Sequence, residues 1–330
     1  MKKMISCLTG ALLILSVATG CTSSTENART PGTGGDMKEQ KFVTIATGGS
    51  SGPYYTLGGA LARIYQEKLG YHTSVQSTDG TVENINLLKA KKADIAFGMS
   101  DVASFAYKGE ENFKDSGPVT DLKAIAGLYL NYVQIIALKE KNIKSVADLK
   151  GKRVGVGAPN SGVEVNARIV LGGHGITYND IKPDYLSYAE AIEQLKNGTI
   201  DASFVTSGLP NSAVIDLSKE KTVEIVPIQA ADIEKMTKQF PFFVQAEIPP
   251  GVYKNEKPIP TAAIRNILLV RGDLSEEKVY KITKLFFENL GDLQAAHSAA
   301  KEIDVNHAWK NLVVPLHPGA EIYYKEVGKL

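Results

Sequence analysis

Short β-branched runs stop at glycine- or hydroxyl-rich turns, and a helical stretch stands directly behind each turn; this unit recurs along most of the chain. Phe42-Val43-Thr44-Ile45-Ala46 stops at Gly48-Gly49, and Tyr54 to Leu69 follows with helical character. His72 to Gln76 reads as a second strand, Val82 to Lys91 as a second helix, and Asp94 to Gly98 as a third strand. Further strands are expected over 122–127, 133–138, 153–156, 181–186, 202–205, 223–228 and 264–270. The stretch 275–300 reads as a C-terminal helix, with Glu276 and Glu277 in a first turn that suits its dipole. Strands alternating with helices specify an α/β fold with largely parallel sheets.

The turns share a composition. Gly48-Gly49-Ser50-Ser51-Gly52, Ser77-Thr78-Asp79-Gly80-Thr81, Ser100-Asp101, Ala158-Pro159-Asn160-Ser161-Gly162 and Thr206-Ser207-Gly208 each end a strand and open a helix. In open α/β sheets the crevice beyond the carboxyl ends of the strands takes the ligand. Helix N-termini present unpaired N–H groups and a partial positive charge there, which suit an anion. Turns of this kind from both halves of the chain imply a cleft between two lobes.

The N-terminus has a different design. Lys2 and Lys3 precede an apolar stretch centred on Ala11-Leu12-Leu13-Ile14-Leu15, and Ala18-Thr19-Gly20 lead into Cys21. That is the layout of a secretory signal peptide over residues 1–20. A cysteine directly behind the small residues matches a bacterial lipoprotein signal, with Cys21 acylated as the new N-terminus. The other reading is an ordinary signal peptide with an incidental cysteine. The apolar core is shorter than the ~20 residues of a spanning helix. On the lipoprotein reading Cys7 is removed and Cys21 is blocked, so the body keeps no thiol, disulfide or cysteine metal ligand. Two acyl chains anchor stably where one binds marginally. Residues 21–41 then form a tether, almost without apolar side chains beyond Cys21 and spanning roughly 25 Å r.m.s.. The body is expected outside the cytoplasm, lipid-anchored on the outer face of the membrane or in the periplasm.

The formal charge is +1, and −1 without Lys2 and Lys3. That balance gives no field for nucleic acid, and no basic run interleaved with aromatics suggests it. Gly157 to Gly162 has the glycine spacing of a phosphate-binding loop, but Val163 and Glu164 replace the lysine and hydroxyl that should follow. Ser161-x-x-Glu164 and Ser187-x-x-Glu190 read as helix capping boxes. Gly48 to Gly52 lacks the glycine order of a dinucleotide site. His72, His174, His297, His307 and His317 have no metal-ligand spacing, and no nucleophile elbow is present. No cofactor, no metal and no enzymatic activity are expected. Tyr54 stands just behind a glycine turn, and both a core position and a pocket wall fit it.

With these residues in hand, the chain resembles a known family. The run Thr44 to Tyr55 followed by Leu57-Gly58-Gly59-Ala60-Leu61-Ala62 resembles the opening of the TAXI family, the solute-binding proteins of a class of TRAP transporters. Similar blocks are Gln76 to Asn84, Ala93 to Phe97, Ser100 to Ala103, Gly151-Lys152-Arg153-Val154 with Ser161-Gly162, and Ile248 to Tyr253. Asp79 stands where the family pattern has a second glycine. The resemblance implies a two-lobed periplasmic-binding-protein fold of the second type, each lobe a mixed, mostly parallel sheet flanked by helices. Lobe one would hold 42–130 plus 236–330, and lobe two 131–235. It further implies a monomeric receptor that closes by hinge motion on a small carboxylate or amino acid, such as glutamate, glutamine or 2-oxoglutarate. The closed form would dock on the membrane permease subunits of a TRAP transporter. A binding protein of an ATP-driven importer, a lipid-anchored enzyme and a surface antigen are the alternatives.

Ligand contacts are expected from Gly49, Ser50, Ser51, Tyr54, Gln76, Ser77 and Thr78 on lobe one, with Asn84 and Ser100 beside them. Asn160, Ser161, Gly162, Thr206 and Ser207 are expected from lobe two. Hydroxyl and amide donors can hold a carboxylate through charge-assisted hydrogen bonds without a salt bridge. Arg153 and Arg168 are the cations whose reach the sequence leaves open.

Overall fold

The computed structural model describes residues 41–330; the expected signal segment, Cys21 and all but the last residue of the expected tether lie outside the described residues. Strand β1 (Phe42–Ala46), helix α1 (Pro53–Leu69), β2 (His72–Gln76), α2 (Thr81–Lys89), β3 (Ile95–Met99) and α3 (Ser100–Lys108) come first. β4 (Leu122–Leu138), β5 (Arg153–Gly155), α4 (Gly162–Gly173), β6 (Lys182–Asp184), α5 (Tyr188–Lys196), β7 (Ala202–Ser207), α6 (Ser212–Glu220) and β8 (Val223–Val226) form the middle. α7 (Ala230–Thr237), β9 (Phe243–Ile248), β10 (Ile259–Arg271), α8 (Glu276–Glu288), α9 (Leu290–Ala296) and α10 (Pro318–Glu326) complete the chain.

The strands form one sheet in the order β2-β1-β3-β10-β4-β7-β5-β6, with β8 added to β4 and β9 to β10. The flanks are parallel: β1 pairs with β2 and β3, and β5 with β6 and β7. The centre is antiparallel and is made by the two longest strands. β4 pairs with β10 from Leu122 to Tyr132, then changes partners and pairs with β7 and β8 from Tyr132 to Leu138. β10 pairs with β9 over Ile259–Ile264 and with β3 over Asn266–Val270. Both strands therefore run unbroken from one half of the sheet into the other.

Apolar faces explain the layers. β3 is buried along its whole length and reads as a continuous apolar run, as a strand covered on both faces must. α1, α8 and α10 cover one face of the first half, with Leu61, Tyr65, Phe286 and Tyr324 packed on Ile45, Phe97 and Leu268. Phe287 and Tyr323 stack at 5.5 Å between α8 and α10. α5 and α6 cover the second half, where Leu195, Val214 and Leu217 meet Ile136 and Val205. Residues 236–258, assigned from sequence to lobe one, divide between the halves: Phe240 and Phe242 meet Phe105 on α3 edge to face, whereas the later residues pack with the second half. Ile248 and Tyr253 share its apolar cluster, and the Asn211 N–H donates to the Tyr253 hydroxyl at 2.7 Å.

Several elements depart from expectation. The strands expected at 122–127 and 133–138 are one strand, because Leu128 to Tyr132 stay in the ladder despite their aromatic and polar side chains. The expected C-terminal helix breaks at Asn289, which caps both α8 and α9. β10 starts at Ile259 rather than Ile264, and β9 is an additional edge strand whose exposed Val244, Gln245 and Glu247 hide its period. The turn Thr206-Ser207-Gly208 does not open a helix directly; Asn211 caps α6, its side chain accepting from the Ala213 N–H. Ser187 and Glu190 make a full capping box, whereas Glu164 turns away from Ser161 and accepts from the Tyr178 hydroxyl at 2.8 Å.

Candidate functional site

Five helices begin around one cavity. The residues preceding α1, α2, α3, α4 and α5 (Gly52, Gly80, Met99, Ser161 and Ser187) all line it. Gly52, Gly80 and Met99 offer no side-chain cap, so the first N–H groups of α1, α2 and α3 have no partner from their own caps. Gly80 has φ of 128°, a conformation that a residue with a Cβ adopts only under strain. The enclosed space is about 50 Å³ and shares Gly49, Thr78, Asp79, Ser187 and Tyr188 with an open hollow of about 430 Å³ outside it. No lysine, arginine or histidine lines either space. Any attraction for an anion there comes from backbone dipoles and neutral donors, set against the Asp79 carboxyl that also lines the space.

Tyr54 anchors the inner wall. Its ring stacks on Phe97 at 5.2 Å, and its hydroxyl donates to Asn266 Oδ1. Asn266 Nδ2 donates to Asn131 Oδ1 at 2.8 Å and to the Tyr129 carbonyl at 3.0 Å. Asn131 Nδ2 reaches the Tyr54 oxygen at 3.4 Å. β4 and β10 thus hold the tyrosine through their own side chains. Burial pushes its phenol well up, reinforced by Tyr188 and Asp101, so it remains a neutral donor. Facing it, Tyr188 donates to the Thr206 carbonyl at 2.6 Å.

The sequence-predicted residues divide into three groups. Gly49, Tyr54, Thr78, Ser161, Gly162 and Ser207 line the inner cavity. Ser50, Ser51 and Ser77 line the outer hollow with Gly49 and Thr78. Gln76, Asn84, Ser100, Asn160 and Thr206 line neither. Asn84 is fully buried, and Nδ2 donates to the carbonyls of Thr47 and Phe97 at 2.6 and 2.7 Å. Its Oδ1 accepts from the Thr78 hydroxyl at 2.7 Å, so Asn84 aims the cavity-lining Thr78. Gln76 accepts from Thr47 through its carbonyl, and Ser100 is the first residue of α3. Asn160 offers its carbonyl to the Glu83 N–H, and Thr206 is buried behind Ser207. Arg153 pairs with Asp184 at 3.6 Å and Arg168 with Glu111 at 2.9 Å, away from the lining.

Tyr188, Met99, Asn131 and Leu186 are wall residues that sequence reasoning missed. Asp79 lines both spaces, and its carboxyl is pushed up by burial, with Glu83 and Glu190 adding to the shift.

The two sides of the cavity touch. The Glu83 N–H donates to the Asn160 carbonyl at 3.1 Å, and the Ser212 N–H and hydroxyl donate to the Ser51 carbonyl at 3.3 and 3.0 Å. Asn166 on α4 meets Asp101 on α3 at 2.6 Å. Among the described residues, no group of three His, Cys, Asp or Glu is placed to hold a metal ion, and no helix is long and apolar enough to cross a membrane.

A sheet of parallel flanks joined by two crossing strands, with a cavity at the helix N-termini between them, is the α/β fold of the type II periplasmic binding proteins. A methylphosphonate complex from Prochlorococcus marinus overlays with a TM-score of 0.51 at 12% identity, over 88% of this chain and 100% of that one. A binding protein component of an ABC phosphonate transporter from Pseudomonas aeruginosa overlays with a TM-score of 0.50 at 14% identity, over 80% of each chain. The chain belongs to the NMT1-like family, whose sequence profile matches residues 45–328.

Proposed function

We propose that this chain is an extracytoplasmic receptor that captures a small organic anion or amino acid in the cleft and delivers it to a membrane permease. One observation carries the reading: a small chamber ringed by five helix N-termini, with walls from both halves of the sheet. β4 and β10 are the hinge, and residues 131–258 move against the rest. Only a ligand that touches both sides favours the closed form. The chamber has neutral donors and no cation, which suits a carboxylate held by N–H and O–H groups. Acylation of Cys21 would tether the body to the membrane.

The permease partner has two candidates. The Pseudomonas neighbour is a component of an ABC transporter, which favours an ATP-driven importer. The residue blocks shared with the TAXI family favour a TRAP permease driven by an ion gradient. Uptake that persists when the ion gradient is collapsed, while ATP is maintained, selects the first.

The test of the receptor reading is a thermal-shift screen of the full chain against amino acids, dicarboxylates, 2-oxo acids, phosphonates and sugars. A solute at a hundredfold excess over Kd stabilises by about 2.7 kcal/mol. A large shift with one small acid is expected, and alanine at both Ser50 and Ser161 should weaken it. Ligand-free protein that responds to none of them, or turnover of the bound compound, overturns the proposal.

A further inference from the structure

Asp101 lies in the first turn of α3 and Asn166 in the middle of α4, on opposite sides of the cleft, and both are fully buried. Asn166 Nδ2 donates to Asp101 Oδ2 at 2.6 Å. The remaining oxygens, Asp101 Oδ1 and Asn166 Oδ1, are buried without hydrogen-bond partners. An ionised carboxylate and an amide oxygen only accept, so neither can satisfy the other. Two unpaired acceptors in a buried contact are costly. A proton on Asp101 turns one of them into a donor, and a carboxylic acid beside an amide can exchange two hydrogen bonds where the ion exchanges one.

We propose that Asp101 and Asn166 form a proton-dependent latch, which stabilises the closed cleft when Asp101 is protonated and is released when it ionises. The latch rests on the hinge-closure reading above.

The surroundings supply no fixed counter-charge. The N–H groups of Val102 and Asp101 and the Asn166 amide favour the anion, but burial outweighs them and lifts the carboxyl to about 6. Tyr54 on α1 is the titratable neighbour, and it stays neutral. On α2, Glu83 accepts from the Asp79 N–H and Lys89 donates to the Ser116 carbonyl. On α4, Glu164 and Arg168 are engaged with Tyr178 and Glu111. On β10, Arg265 donates to the His307 and Lys310 carbonyls, and Arg271 pairs with Asp94. Opening would admit water to the carboxyl and return it toward the ordinary value of 3.8. The closed form then binds the proton more tightly, so closure is favoured as pH falls through 6 and levels off below the open-form value. Between pH 7 and pH 5 the closed-to-open ratio should rise about tenfold.

Amide hydrogen exchange on the ligand-free full chain reads this directly. The Glu83 and Ser212 N–H groups bond across the cleft, whereas the Thr47 N–H bonds within one half, to the Gln76 carbonyl. After correction for intrinsic rates, protection at Glu83 and Ser212 should rise about tenfold from pH 7 to pH 5, with Thr47 unchanged. Asp101→Asn should abolish that response. A ¹³C titration of the Asp101 carboxyl in the unsubstituted chain should show a midpoint near 6, which decides the matter if the variant does not fold. A midpoint near the ordinary carboxylate value, or flat protection at both cross-cleft amides, overturns the latch. A chain that binds solute while its protection stays flat keeps the receptor reading and loses the latch. A chain with pH-dependent protection and no solute loses only the receptor reading.

Discussion

Gly162 and Met99 meet across the cleft so closely that a carbon added at Gly162 would stand 2.9 Å from the Met99 sulfur and 3.1 Å from Thr81 Oγ1. The start of α4 thus seats on the start of α3 only because this residue has no side chain.

Gly162→Val should therefore hold the cleft partly open. Overpacking of this kind costs about 1–3 kcal/mol. Here the cost should fall on closure, giving about a five- to 150-fold loss of solute affinity with the unfolding midpoint little changed. Calorimetric titration with the solute found in the screen checks it. Unchanged affinity would mean that the bound form lacks this contact.

Asn84→Ala removes a side chain that serves three partners: the Thr47 and Phe97 carbonyls and the Thr78 hydroxyl. Leaving buried acceptors unsatisfied costs about 1–3 kcal/mol. Urea unfolding should show that loss, and solute binding should weaken because Thr78 is no longer aimed. A stable variant would mean that water replaces the amide.

Tyr54→Phe keeps the stack on Phe97 and deletes the hydroxyl that donates to Asn266. Asn266 Oδ1 then loses its donor at the crossing of β4 and β10, for about 1–3 kcal/mol. Denaturant unfolding measures the stability, and binding of the same solute tells whether the hydroxyl also serves the ligand.

His317 accepts from the Gly319 N–H through Nδ1, which caps α10, and its Nε2 faces the Leu274 carbonyl at 3.1 Å. Burial lowers its pKa below the usual histidine value. The unfolded chain then takes the proton more readily, so this site's contribution is complete above the unfolded pKa of about 6.5 and is lost as pH falls below it. The sign is opposite to that of Asp101. His317→Gln should lose less stability than the unsubstituted chain between pH 7 and pH 5, by thermal unfolding at each pH. An equal loss in both would remove His317 from the acid response.

The α/β class was legible because its signals are local. β1 and α1, joined by Gly48 to Gly52, are written in adjacent residues, and so is the capping box at Ser187 and Glu190. The cavity was half legible for the same reason: glycine and hydroxyl turns mark helix starts wherever those helices point. Tyr188 was hidden because it stands in a capping box whose local logic is complete without a cavity. Met99 stands just past the third strand expected over Asp94 to Gly98, and nothing in its immediate neighbours marks it as a wall residue. The role of Asn84 depends on Thr47 and Phe97, whose carbonyls only the folded sheet brings to it. The continuity of β4 was masked by Tyr129 and Asn131, which look like a break until Asn266 on β10 pairs with them. Asn266, beside Arg265 in the otherwise apolar run from Ile264 to Val270, was the available hint of that network.

The two crossing strands also set a timetable for the chain. Phe97 on β3 has its ladder partner at Leu268, and Lys123 on β4 pairs with Val270. Until the last quarter of the polypeptide has emerged, the first half of the sheet lacks its central neighbour and exposes two strand edges. At about 5–20 residues per second of synthesis that delay lasts many seconds. Pairing over such sequence distances also slows the search for the native arrangement. The first half of the sheet therefore gains its central neighbour only once β10 has been made.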